Sequence, residues 1–278
     1  MKNDAGLVRV GDWERFGWLR AGFSRRSGGI SSAFGGKSLN LGWKDEDDDA
    51  NVRENRRRFM AGIDGDLRGG SAFSLVTMRQ VHSDAIQVIW PGGEPLETAE
   101  GRAVLEGDGL VTDAAGVVLG VQVADCVPVL VADVRRRAVG AFHAGWRGTK
   151  ERIVEKGIAR MREEFGTDPG DLVCAVGPSI GPCCYSVGKE VEKEFMDRFA
   201  YGAELFRRRG EELFLDLWEA NRRQMVEAGV RTESITVLGE CSACSRDREG
   251  GRRYFSHRAE MGRAGRMMGA IGVVESGL

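Results

Sequence analysis

Histidine is scarce in this sequence: His82, His143 and His257 are its only three among 278 residues. Any imidazole chemistry must draw on those positions. Cysteine is sparse as well, and six in a chain of this length fall far below the density of a disulfide scaffold. A reducing, cytoplasmic setting is the expectation. Proline numbers six against 40 glycines, which suits a folded chain with many tight turns better than a disordered one. Neither sign of charge dominates, with 40 Lys+Arg against 42 Asp+Glu and a pI near 6.1. That balance argues against a dedicated nucleic-acid binder, which carries a basic excess on one face. The runs Arg56-Arg57-Arg58, Arg135-Arg136-Arg137 and Arg207-Arg208-Arg209 are scattered and offset by acids such as those at 45–49, so they read as solvated turns and helix faces. No apolar stretch is long enough to cross a bilayer, and no signal-peptide core follows the N-terminus.

What is present reads as a soluble globular chain, with one domain expected over 1–278. Apolar runs alternating with turn residues predict strands at 74–78, 86–90, 117–123, 127–132, 138–142, 172–176 and 234–238. A helix starting near Thr149 carries Val154, Ile158, Met161 and Phe165 on one stripe and ends at Gly166. Val187, Val191, Phe195 and Phe199 suggest a second helix, and Asp216 is a candidate cap for a third that ends at Gly229. Strands and helices mix without strict alternation. The expected fold class is therefore mixed α/β (α+β), with a largely antiparallel or mixed sheet flanked by helices.

Two glycine motifs suggest nucleotide binding and then fail. Gly35-Gly36-Lys37-Ser38 resembles the tail of a P-loop, but Ser31 stands where its first glycine belongs, and Phe23-Ser24-Arg25-Arg26 upstream makes a poor buried strand. Gly107-Asp108-Gly109 begins like a dinucleotide fingerprint, but Thr112 takes the third glycine position and no helix signal follows. Both read as turns.

The histidines sit in specified-looking segments, and Ala124-Asp125-Cys126-Val127-Pro128 lies between the first two. The stretch 127–142 reads as a β-hairpin. If Ala132 pairs with Arg137, Cys126 falls directly opposite His143, where facing Cβ atoms lie about 4.5–5.5 Å apart. A zinc ion bound by thiolate and imidazole fits that gap. His82 is a candidate third ligand, leaving an open fourth position of the catalytic kind. Asp125 is a candidate to orient a ligand. Two other readings stay open: a metal-free Cys126–His143 nucleophile–base pair, and a small buried thiol beside packed imidazoles.

These residues belong to a longer set of blocks. Gln80-Val81-His82, Gly107-Asp108-Gly109-Leu110-Val111-Thr112-Asp113, Ala124-Asp125-Cys126-Val127-Pro128-Val129-Leu130 and His143-Ala144-Gly145-Trp146-Arg147-Gly148-Thr149 resemble the signature blocks of the YfiH/YlmD family. So do Gly177-Pro178-Ser179-Ile180-Gly181-Pro182, the N-terminal Phe23 to Ser31 block with Leu39-Asn40-Leu41-Gly42, and Phe255-Ser256-His257-Arg258 with Gly265-Arg266-Met267. The resemblance implies the fold shared with bacterial cytotoxic deamidases. It implies a zinc-dependent purine nucleoside phosphorylase acting on adenosine, inosine, guanosine and methylthioadenosine, with adenosine deaminase activity in the same site. It places the metal on His82, Cys126 and His143, with zinc expected and copper the alternative ion. A multicopper oxidase needs more imidazoles than three histidines provide. Arg25 and Ala264 stand where the family usually has threonine.

A phosphate co-substrate calls for guanidinium forks, and Arg26 and Arg258, each near a serine in these blocks, are the candidates. Asn40 is a candidate for ribose or base, and His257 for acid–base work. Cys183, Cys184, Cys241 and Cys244 could form a structural zinc or redox group, with free thiols as the default. The expected partners are nucleosides and phosphate, with no nucleic acid or membrane, and a monomer or weak dimer. Other classes kept open are a cysteine deamidase and a non-catalytic partner of cell-division proteins.

Overall fold

The computed structural model describes residues 6–65, 73–92 and 96–274. In chain order the N-terminal part holds β1 (Leu7–Val8), β2 (Leu19–Ser24), β3 (Ser27–Ser31), α1 (Asp49–Asp64), β4 (Ser74–Val76) and β5 (Ile86–Val88). The middle holds β6 (Gly109–Thr112), β7 (Val117–Val123), β8 (Val127–Asp133), β9 (Val139–Ala144), α2 (Trp146–Lys150), α3 (Ile153–Phe165) and β10 (Leu172–Val176). The remainder holds β11 (Ser186–Val187), α4 (Lys189–Arg198), β12 (Phe206–Arg209), β13 (Glu212–Leu215), α5 (Leu217–Glu227), β14 (Ile235–Val237) and β15 (Met267–Val273).

Two mixed sheets dominate, one ordered β1-β2-β15-β7-β4 and the other β14-β10-β8-β9-β6-β5, with a small third sheet β11-β13-β12. The first two pack face to face: Phe23, Leu119, Val121 and Ile271 of one share a core with Leu110, Leu130, Ala141 and Ala175 of the other. Helices α3, α4 and α5 cover the outer face of the six-stranded sheet through Val154, Ile158, Phe195 and Met225. Helix α1 covers the five-stranded sheet through Phe59, Met60 and Ile63. Strands buried on both faces need no polar alternation, which is why β8 reads as an apolar run up to its last residue, Asp133. Helix α3 lies so close to β9 that a Cβ at Gly157 would sit 2.2 Å from the Phe142 ring.

The mixed α/β architecture matches expectation, and so do the Gly166 terminus in left-handed conformation and the Asp216 cap, whose side chain accepts from the Glu219 N–H. Three local readings need correction. Leu19–Ser24 is a strand with Phe23 almost fully buried, although its polar flank suggested otherwise. Val187 belongs to β11 and Phe199 follows α4, so the second stripe spans a strand, a helix and its exit. The β8–β9 hairpin pairs Ala132 with Val139 and Pro128 with His143. Asp133 causes that shift: its carboxylate accepts from the Arg135 and Arg136 N–H groups, while Arg137 turns left-handed at φ 59°, so the turn closes between Asp133 and Ala138. A two-residue slip preserves the face of every side chain. Cys126 is therefore diagonal to His143, on the same side.

Candidate active site

The chain crosses from one large sheet to the other between β7 and β8, through Ala124, Asp125 and Cys126. Asp125 takes φ 93° there, a left-handed conformation that costs a non-glycine residue about 1–3 kcal/mol and turns the next side chain inward. His143 sits near the end of β9 and is buried, whereas His82 lies exposed in the loop between β4 and β5, also left-handed at φ 62°. One donor atom from each of His82, Cys126 and His143 lies within 4.8 Å of the other two. Donors on one tetrahedral zinc are about 3.4–3.8 Å apart, so small side-chain adjustments close the cluster on an ion. The two imidazole rings meet edge to face at 4.9 Å. Gly145 leaves them room: a Cβ there would lie 3.0 Å from Cys126 Sγ and 3.3 Å from His82 Cδ2.

Asp108 organises this cluster. Its Oδ1 lies 2.7 Å from His143 Nδ1, which leaves Nε2 as the ring atom free for an ion or thiol. The same carboxylate accepts from the N–H groups of Val81 (3.2 Å), His82 (3.1 Å) and Ser83 (2.7 Å) and from the Ser83 hydroxyl (2.8 Å). One buried anion thus holds the strained His82 turn and fixes the His143 ring. Burial opposes the Asp108 charge, but the His143 and Ser83 hydrogen bonds win and hold its pKa down to about 2. Burial likewise opposes ionisation of Cys126, and the charge and hydrogen bonds of His143 and His82 overcome it, pulling the thiol down. His143 moves upward against its burial, drawn by the Cys126 and Asp108 charges. From sequence, Asp108 reads as part of a turn and of a family block, with no role given to its side chain. Its burial between two glycines at the start of β6 is the signal that reading lacked.

The three residues line a cavity of about 620 Å³, together with Trp146, Arg147, Tyr185, His257, Arg258 and Arg266. His257 and Arg258 thus line the same cavity as the three donors. Arg258 Nη1 also reaches the Ser186 carbonyl and hydroxyl, both at 2.9 Å. Arg26 and Asn40 do not line the cavity. The Arg26 guanidinium pairs with Glu260 at 2.6 Å, donates to the Phe34 carbonyl and lies over the Phe255 ring. Asn40 is fully buried and bridges Gly42, Asp47 and the Arg266 N–H. Both tie loops together. The Asp125 carboxylate likewise accepts from the Ser242 hydroxyl at 2.6 Å and the Arg258 N–H at 2.7 Å rather than from a ligand ring. Arg147 and Arg266 are the cationic residues the sequence reading passed over.

A family model described as multi-copper polyphenol oxidoreductase laccase matches residues 20–274. The chain belongs to this family, that of YfiH and YlmD. It is 35% identical over 274 residues to the purine nucleoside phosphorylase YlmD of Geobacillus stearothermophilus, covering 93% of this chain and 95% of that one. It is 38% identical over 173 residues to an adenosine deaminase, RL5, from an unknown prokaryotic organism, covering 61% of this chain and 66% of the relative. The crystal structure of YfiH from Bacillus licheniformis superposes with a TM-score of 0.84 at 32% identity, covering 96% of both chains. As a YfiH/YlmD family member the chain brings two imidazoles and one thiol to its cleft, a donor set for one ion and too small for several coppers.

Proposed function

We propose that this chain is a zinc-dependent purine nucleoside phosphorylase, acting as one domain over 1–278, whose cleft also deaminates adenosine. Adenosine, inosine, guanosine and methylthioadenosine are its proposed substrates. One observation carries the reading: two imidazoles and a thiol from three separate segments converge on a cavity of about 620 Å³, a size suited to a nucleoside. The names of the YlmD and RL5 relatives support both activities. His82, Cys126 and His143 would hold the metal, and their borderline-soft donor set suits zinc. Zinc, when bound, supplies a Lewis acid with a position left for a reactant.

The chain's own residues supply the rest. Asp108 keeps a proton at His143 Nδ1, so Nε2 would be the atom that holds the ion. Arg147, Arg258 and Arg266 bring three guanidinium groups to the cleft and suit a phosphate. Trp146 and Tyr185 offer ring faces to a purine. In phosphorolysis a phosphate oxygen bonds to the anomeric carbon as the glycosidic C–N bond breaks. The electron pair passes to the base, which takes a proton; His257, which lines the cleft, would give it. In deamination, water adds at purine C6 and ammonia leaves.

The test combines metal analysis with an adenosine-plus-phosphate assay on untagged protein. Adenine and ribose 1-phosphate should form, vanish with chelator and return with zinc. Chelator-resistant turnover would instead support a thiol hydrolase, a reading favoured by the lowered Cys126 thiol beside His143.

A further inference from the structure

A second group of metal-competent donors lies outside this cleft: Cys183, Cys184, Cys241 and Cys244 place their four sulfur atoms within 4.8 Å of one another. We propose that these cysteines bind a structural zinc ion as a four-thiolate centre. A tetrahedral zinc with Zn–S bonds of about 2.3 Å holds its sulfurs about 3.8 Å apart. Cys183 Sγ and Cys244 Sγ lie 3.6 Å apart, close to that spacing and well beyond a disulfide bond of about 2.05 Å.

The surroundings are built for thiolates. Cys241 and Cys244 form a Cys-x-x-Cys turn closed by the Ser245 N–H on the Cys241 carbonyl at 2.9 Å. The Gly181 N–H donates to Cys241 Sγ at 3.3 Å. Four thiolates around a divalent ion leave a net negative charge, and three guanidinium groups bonded to the cysteine-bearing loops, one of them reaching over from β12, offset it. Arg209 donates to the Cys183 carbonyl at 3.2 Å, and Arg246 and Arg252 donate to the Ala243 carbonyl at 3.4 and 2.7 Å. Cys241 is buried and Cys184 half-buried against Ile180, Ala243, Tyr185 and Trp218, while Cys183 and Cys244 are exposed. Four thiolates fill a tetrahedral shell and leave no open position, the donor count of a structural site.

The ion would join two loops whose bases are already paired, where the Ser242 N–H meets the Ser179 carbonyl at 2.9 Å. Both loops end at the cleft. Tyr185 and Ser186 follow Cys184, and Ser186 holds Arg258. Ser242 follows Cys241 and holds Asp125 beside Cys126. The four-thiolate ion would therefore set the position of one cleft wall.

Zinc is to be counted in untagged protein purified under reducing conditions. A His82→Ala/Cys126→Ser variant, lacking two cleft ligands, should keep about one zinc per chain, and adding Cys241→Ser and Cys244→Ser should bring it near zero. That count is independent of the cleft ion, so failure of the proposed function leaves it intact. Cobalt substitution of the His82→Ala/Cys126→Ser protein provides a second measurement, with the intense charge-transfer absorption of a four-thiolate centre expected. If the multiple variants do not fold, the same spectrum is read on the wild-type chain, with single Cys241→Ser as its control. Absence of zinc from the His82→Ala/Cys126→Ser protein overturns the proposal. So does a non-reducing mass lighter by the hydrogens of one or two disulfides among these cysteines.

Discussion

The cleft cluster and the four-cysteine cluster differ in chemistry, although Asp125 links the chain next to both. Asp125 precedes Cys126 in the chain, and its carboxylate binds the hydroxyl of Ser242, the neighbour of Cys241. On one side, imidazoles, a thiol and a buried carboxylate face an open cavity. On the other, four sulfurs gather at the surface, with Cys241 buried and Cys183 and Cys244 exposed, beside arginine-bonded carbonyls. An open mixed-donor site leaves a coordination position for a reactant, and a closed all-sulfur site leaves none. Two clusters of similar size can thus serve turnover and stability separately.

The sharpest break of that contrast is Cys126→Ser. Turnover of adenosine with phosphate should fall by about 10³-fold or more, with only a minor change in Tm. Asp108→Asn should follow, costing about 10–100-fold in zinc affinity or turnover as the His143 ring loses its anchor. Equal zinc affinity and turnover in that variant would deny Asp108 its orienting role. Cys241→Ser combined with Cys244→Ser should reverse the pattern, lowering Tm by about 5–10 °C in a thermal scan while changing turnover less than Asp108→Asn does. The smallest effects separate the two arginines first chosen for phosphate. Arg258→Ala should raise the KM for phosphate by about tenfold. Arg26→Ala should leave that KM unchanged and cost about 1–3 kcal/mol of stability in urea denaturation, because its partner Glu260 is only about 14% exposed.

The convergence of His82, Cys126 and His143 was legible in the sequence even though the inferred hairpin register was two residues out, because an even slip keeps side chains on their faces. The β-rich middle was legible because runs such as 127–132 are apolar throughout. Helix α1 escaped notice because its buried face includes Asn55 and Arg56, which interrupt the apolar stripe; Asn55 is consumed by hydrogen bonds to Ser31 and to the Ser38 and Asn40 carbonyls. The arginines were harder still. A neighbouring serine says nothing about where a guanidinium points, and only the fold shows that Arg26 faces Glu260 while Arg147 and Arg266 face the cleft.

Diffraction from crystals of the chain, recorded on both sides of the zinc absorption edge, tests the cleft assignment most directly. An anomalous peak within bonding distance of His82, Cys126 Sγ and His143 Nε2, at about 2.0–2.3 Å from each donor, is the result expected. Zinc-replete crystals with no peak there, and those donor atoms turned away from one another, would contradict it.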